Sequence, residues 1–117
     1  MIHILLHVAV PLGLAVTLYR KRWRHAFVVL IATMVIDIDH LLANPIYDPD
    51  RCSIGFHPGH TMPVILLYGA VFVWSVWKLA GRSATEGDKA SRSVNLLHLI
   101  SLGLLIHMML DGLDCIW

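Results

Sequence analysis

Nine ionisable side chains sit in or beside the apolar stretches of this 117-residue sequence: His3, His7, Asp37, Asp39, His40, His57, His60, His107 and Asp111. Charged groups are costly in hydrocarbon and are usually kept there for function. Imidazoles and carboxylates are also the donors that bind divalent cations. All nine fall toward one end of their apolar stretches. Together they point to a metal site at one face of a membrane protein. His3 and His7 are spaced i,i+4, Asp37 and His40 i,i+3, and His107 and Asp111 i,i+4, with Asp114 three residues further on. On helices, such spacings place side chains on one face.

Simpler readings exist for individual residues. An intramembrane Asp can serve as a polar contact between helices. His3 could face water. His25, in a basic run, and His98 lie at the opposite end and read as interfacial. Asp48 and Asp50 belong to a turn, YDPD. Asp114 sits at the water boundary, where solvent contact or support of a ligand is as good a reading as ligation. Met34, Met62, Met108 and Met109 read as packing. The grouping of Asp37, Asp39 and His40 opposite HxxxD is what favours the metal reading.

The residues need elements to position them. The composition is 57% hydrophobic and 15% charged, with a mean hydropathy of +0.70. Ordinary soluble domains carry about 25% charged residues. Four apolar stretches stand out: Ile2–Tyr19, Ala26–Ala43, Thr61–Leu79 and Val94–Trp117. Each approaches the roughly 20 residues that cross about 30 Å of hydrocarbon. In lipid, every backbone group must be satisfied internally, so the stretches are expected to be helices. The fold expected is therefore all-α: a single four-helix transmembrane bundle spanning residues 1–117. The first stretch does not read as a cleavable leader, because its basic cluster follows the apolar run.

Eight of the nine basic residues lie in or beside the connections 20–25 and 80–93; only Arg51 lies elsewhere. The positive-inside rule puts those connections in the cytoplasm, and both termini with the loop 44–60 outside. Trp23, Trp74 and Trp77 then fit an inner aromatic belt and Trp117 an outer one. The net charge of +1 and the single basic run, RKRWRH, give no nucleic-acid-binding stripe. The segment GRSATEGDKASRS (81–93) reads as a solvated polar loop.

Depth can be counted from the basic edges. Arg20 to His7, Arg24 to Asp37 and Arg92 to His107 each span a similar number of residues, about 20–22 Å of helix. Three helices are thus expected to deliver His7, Asp37 and His107 to one level. Pro11 removes the donor to the His7 carbonyl and could kink the first helix there. In HPGH, Pro58 and Gly59 favour a turn that would aim His57 and His60 inward. Thr61 could cap the third helix, with Pro63 in its first turn. Cys52 and Cys115 both map to the outer side, where a disulfide is permitted; two free thiols are the alternative.

The run DIDHLLANPIYDPDRCSIGFHPGH (37–60), with HILLH (3–7) and HMMLDGLDCIW (107–117), resembles a family of small bacterial integral-membrane proteins of unknown function. More distantly, the order H…DxDH…HxxH…HxxxD resembles the predicted membrane-bound metal-dependent hydrolases of bacterial inner membranes. Those proteins carry DxDH followed by an HRGxTHS-type motif. Here FHPGHT keeps His57, His60 and Thr61, but lacks the arginine and terminal serine and has a shorter spacing. The resemblance implies metal ligation at His7, Asp37, Asp39, His40, His57, His60, His107 and Asp111. It also implies an inner-membrane location, and it identifies no reaction.

The expected function is a metal-dependent hydrolase at the outer face, acting on a lipid-like or lipid-linked ester, phosphoester or amide. Nine donors exceed the three or four of one catalytic zinc, so two ions are expected, zinc first, with Mn or Fe as alternatives. One ion would lower the pKa of bound water toward roughly 7, and the other would hold the substrate oxygen. Asp39 or Asp114, if not a ligand, could shuttle the proton, and Arg51 could meet an anionic group. The alternatives are non-enzymatic metal binding for sensing, delivery or transport, and a purely structural His/Asp network. Membrane lipid is the expected surrounding, and a homodimer is possible. Ser53 lies on the right side, but no GxSxG elbow surrounds it.

Overall fold

The apolar stretches form helices, as bilayer physics requires of a chain this hydrophobic. A computed structural model describes residues 2–46, 48, 50–82 and 88–116. Among these there are four helices and no strand. Helix α1 spans Ile2–Leu18, α2 Trp23–Ala32, α3 Met62–Ala80 and α4 Asp88–Asp114. Helix α2 runs on as a 3-10 helix, Thr33–Leu42. Three helical stretches, Arg20–Leu42, Met62–Ala80 and Lys89–Asp114, are long and apolar enough to cross a membrane, and α1 is a shorter apolar helix. The molecule is an all-α membrane-type bundle. Trp117 and residues 83–87 of the polar connection lie outside the described residues.

Two boundaries differ from expectation. Helix α4 begins at Asp88, six residues before the apolar run. The stretch KASRS (89–93) contains no helix breaker, so the helix extends into polar sequence, and Ser93 Oγ bonds back to the Lys89 carbonyl at 3.3 Å. The side chain of Thr61 does not cap α3. Its hydroxyl donates backward to the Pro58 carbonyl at 3.2 Å, while its own carbonyl accepts from Val64 and Ile65. Pro63 sits in the first turn of α3 as expected. Helix α1 runs through Pro11, which is buried.

Helix α4 is the hub, packing on α1, α2 and α3. Its buried positions Leu99, Ile106 and Leu110 form the core with Ala15 of α1 and Ala26 and Leu30 of α2. Lipid supplies no hydrophobic drive between helices, so close backbone approach through small residues matters most. Gly103 marks such an approach. A Cβ there would lie 2.7 and 2.8 Å from the Thr33 side chain and 3.3 Å from the Leu30 Cα. Thr33 cannot easily yield, since its hydroxyl donates to the Leu30 carbonyl at 2.6 Å. Gly103→Ala is therefore expected to cost about 1–3 kcal/mol through overpacking, outweighing its gain in helix propensity. Gly13→Ala, with nothing within 4 Å of the new carbon, should be neutral or slightly stabilising. Thermal melts in detergent check the contrast.

At the end of the bundle bearing the basic run, His98 is tied into a chain. Tyr19 Oη lies 2.9 Å from His98 Nε2 and Ser75 Oγ lies 3.1 Å from His98 Nδ1, linking α1, α4 and α3. Trp23, Trp74 and Trp77 are exposed at the same end.

The 3-10 stretch shapes the other end. Runs this long are uncommon, and here the sequence has a period of three to match. Val35, Ile38 and Leu41 form one exposed apolar edge, where lipid would lie. Thr33, Ile36 and Asp39 form an inward edge, with Thr33 and Asp39 buried. Met34, Asp37 and His40 form the third. In an α-helix, Asp37, Asp39 and His40 would fan over about 160°. Three residues per turn narrow that fan to about 120°.

Candidate metal centre

Four elements bring donors to one end of the bundle. Helix α1 buries one stripe, His7, Pro11 and Ala15, and His3 extends it by one turn. Helix α4 carries His107 and Asp111 beside its core stripe, both nearly inaccessible. The 3-10 helix supplies Asp37, Asp39 and His40. The loop before α3 supplies His57 and His60, the latter 0% exposed. Gly55, at φ +83°, turns that loop, and its N–H donates to the His60 carbonyl at 2.9 Å. Pro58–His60 forms one 3-10 turn. A side chain at Gly59 would displace Ile36 or Asp39, because a Cβ would fall 2.8 Å from the Ile36 side chain and 2.9 Å from Asp39 Oδ2.

The donors sort into three groups. In the first, His107 Nε2 lies 3.0 Å from Asp37 Oδ1, and His60 Nε2 lies 3.0 Å from Asp111 Oδ2. His107 Nε2 to Asp111 Oδ2 is 3.4 Å, and His60 Nε2 to Asp37 Oδ1 is 3.6 Å. Four donors around a tetrahedral zinc, at bonds of about 2.0–2.1 Å, are separated by about 3.3 Å. Four of the group's edges therefore already match a tetrahedral cage. In the second group, Asp111 turns its other oxygen, Oδ1, to His7 Nε2 at 3.2 Å and to His3 Nε2 at 3.5 Å. In the third, His40 Nδ1 faces Asp39 Oδ1 at 3.2 Å, and the His40 ring stacks on His57 with centroids 3.8 Å apart.

The supporting contacts aim these donors. His7 Nδ1 lies 2.9 Å from the His3 carbonyl, fixing Nε2 toward Asp111. Asp39 Oδ2 accepts from Gly59 N–H at 2.8 Å and lies 3.3 Å from His60 Nδ1, behind the nitrogen that faces the first group. Asp114 Oδ2 lies 3.1 Å from His3 Nδ1, again on the outer side of the ring. Backing of this kind, from carbonyl or carboxylate, is how metal-ligating imidazoles are held.

Buried polar atoms are normally hydrogen-bonded. Among the described residues, six have no hydrogen-bond partner: His7 Nε2, Asp39 Oδ1, His40 Nδ1, His60 Nε2, His107 Nδ1 and Asp111 Oδ2. All but His107 Nδ1 face another donor of the same three groups at 3.0–3.2 Å, without hydrogen-bond geometry. Such facing lone pairs are what a cation satisfies. The residues present thus fit divalent metal. In the loop, burial lowers the His57 pKa, and the neighbouring His40 lowers it further. Burial also works against protonation of His60, but the Asp111 and Asp37 carboxylates close to it overcome that and raise the group to about 10.

Above the groups opens a cavity of about 580 Å³, lined by Asp37, His40, Ser53, His57, Asp111 and Asp114 among others. Arg51 is in its wall, with Nη1 donating to the Pro45 carbonyl at 2.8 Å and Nη2 3.5 Å from Asp48. Its guanidinium lies over Phe56. Asp48 accepts from the Asp50 N–H, closing the expected turn. A disulfide joins Cys52 to Cys115, which pins the loop to the end of α4.

Every residue singled out as a metal donor from sequence is in one of the three groups. The turn at Pro58 and Gly59 is where the sequence placed it, but the close approach of Gly59 to Ile36 and Asp39, and that of Gly103 to Thr33, leave no signal in the sequence. A sequence profile for a family of unknown function (DUF6122) matches residues 1–84. The chain belongs to DUF6122. The matched part of this DUF6122 protein includes His3, His7, Asp37, Asp39, His40, His57 and His60, and it ends before α4. No curated protein and no solved structure matches the chain.

Proposed function

We propose that this protein is a membrane-embedded, metal-dependent hydrolase whose site holds two divalent cations bridged by Asp111. One observation carries the reading: the two oxygens of a single buried carboxylate each belong to a separate set of His and Asp donors. A carboxylate placed in this way is suited to a pair of ions a few ångströms apart. Zinc is the first choice for this mix of nitrogen and oxygen, with Mn²⁺ or Fe²⁺ as alternatives.

A cation pair supplies water activation near neutral pH and stabilises charge developing on a substrate oxygen. The chain's own residues do the rest. Asp39 orients His60 and does not line the cavity, so it acts as a positioning residue. Asp114 lines the cavity, is 58% exposed at its side chain and so can carry a proton to solvent. Arg51, already anchored by Asp48 and Pro45, offers an anionic group a positive wall. The cavity lies within the usual size range for small-molecule sites. Exposed Leu42, Ile46 and Phe56 lie on the segments around it, which suits a substrate with a polar head and an apolar tail. The distribution of basic residues supports an orientation in which this end faces away from the cytoplasm.

Purified in detergent without chelator, the protein is expected to carry at least two transition-metal ions per chain by elemental analysis. It is also expected to hydrolyse chromogenic esters or phosphoesters presented in mixed micelles. Asp37→Ala should remove about one ion and lower turnover by at least ~10³, the scale of losing one charge-stabilising group. Metal-free wild-type protein would eliminate the reading, whereas metal without hydrolysis would favour a sensing or delivery role.

A further inference from the structure

We infer that Asp39, His40 and His57 form a third cation position, distinct from the Asp111-bridged pair and open to the cavity. It would take a divalent transition metal with exchangeable positions left for an anionic oxygen of a bound molecule. The observations lie in atoms the proposed pair does not use. His57 is 3% exposed, and its ring meets the edges of Phe56 and His60. It stacks on His40, with an interplanar angle of 28°. His40 Nδ1 and Asp39 Oδ1, 3.2 Å apart, are both buried without a hydrogen bond. One nitrogen or oxygen from each of the three residues lies within 4.8 Å of the others.

Each donor is held from behind, except that of His57. Ser53 Oγ lies 3.1 Å from His40 Nε2, which leaves Nδ1 facing Asp39 Oδ1 at 3.2 Å, with Asp37 Oδ1 of the first group at 3.4 Å. Asp39 is fixed through Oδ2 by Gly59 N–H and His60, which leaves Oδ1 for the third position. Two nitrogens and one carboxylate oxygen make a three-ligand set, the number that keeps a coordination position open in catalytic zinc sites. His40 and His57 line the cavity, so the open side faces the space a bound molecule would occupy.

The test is metal stoichiometry after dialysis against buffered Zn²⁺, with His57→Phe as the main variant. Phenylalanine keeps the ring stack on His40 and removes only the nitrogens. Wild-type protein is expected to bind three ions, and His57→Phe two, with the tighter pair unchanged in affinity. His57→Gln is the second variant, should the phenylalanine disturb folding, and the same loss of one equivalent is expected. Wild-type protein that saturates at two ions, or variants that both still bind three, would overturn the third position while leaving the bridged pair standing. Wild-type protein that binds none would overturn both.

Discussion

Asp111→Ala is expected to empty both members of the proposed metal pair at once, the largest effect of any single substitution in the protein. Its two oxygens face His60 and His107 on one side and His3 and His7 on the other. Removing it takes one negatively charged donor from each set. His3→Ala, by contrast, removes one donor from the outer set alone. Elemental analysis should find fewer than one ion of the pair per chain in Asp111→Ala and at least one in His3→Ala. Hydrolysis in Asp111→Ala should drop to background, since both water activation and substrate polarisation depend on the ions. Circular dichroism guards the interpretation, because the four helices should persist without metal. A fully metal-loaded Asp111→Ala protein would show that the carboxylate does not bridge.

Chelation is the second large effect. A ligand that binds only the folded state stabilises it by about 4 kcal/mol when present at a thousandfold its Kd. In domains near this size, each kcal/mol moves Tm by several degrees. Stripping the site with a strong chelator should therefore lower Tm by on the order of 15 °C, and restoring zinc should reverse the change. A His/Asp network that held the helices together without metal would show no such response. The bundle's opposite end supplies a control. His98 is already bonded to Tyr19 and Ser75, so His98→Ala should lower Tm without altering the response to chelator.

The sequence made much of this arrangement legible, for physical reasons that can be named. A bilayer forces helices, and basic residues mark where they end, so counting residues from those marks gives depth. That count placed His7, Asp37 and His107 at one level. The structure puts the His7 and His107 rings 4.7 Å apart and His107 Nε2 3.0 Å from Asp37. Depth does not give azimuth. Which donors group together depends on rotation about each helix axis, and the 3-10 winding of Thr33–Leu42 changes that rotation for Asp37, Asp39 and His40 together. Its period of three is present in TMVIDIDHLL, but it is hidden because an α-helical reading also gives Asp37 and His40 one face. Close approaches were equally hidden. Gly103 reads as an ordinary glycine, and Gly59 as a turn residue alone, until the opposing Thr33, Ile36 and Asp39 are in place. The reach of α4 back to Asp88 was missed because polar, solvated helix leaves no apolar pattern.

The bridge between Cys52 and Cys115 dictates an order of manufacture. Cys52 precedes Cys115 by 63 residues, so this clasp cannot fasten until α4 has been synthesised. It further requires surroundings where thiols are oxidised. The roof of the cavity is thus closed only once α4 stands beneath the loop.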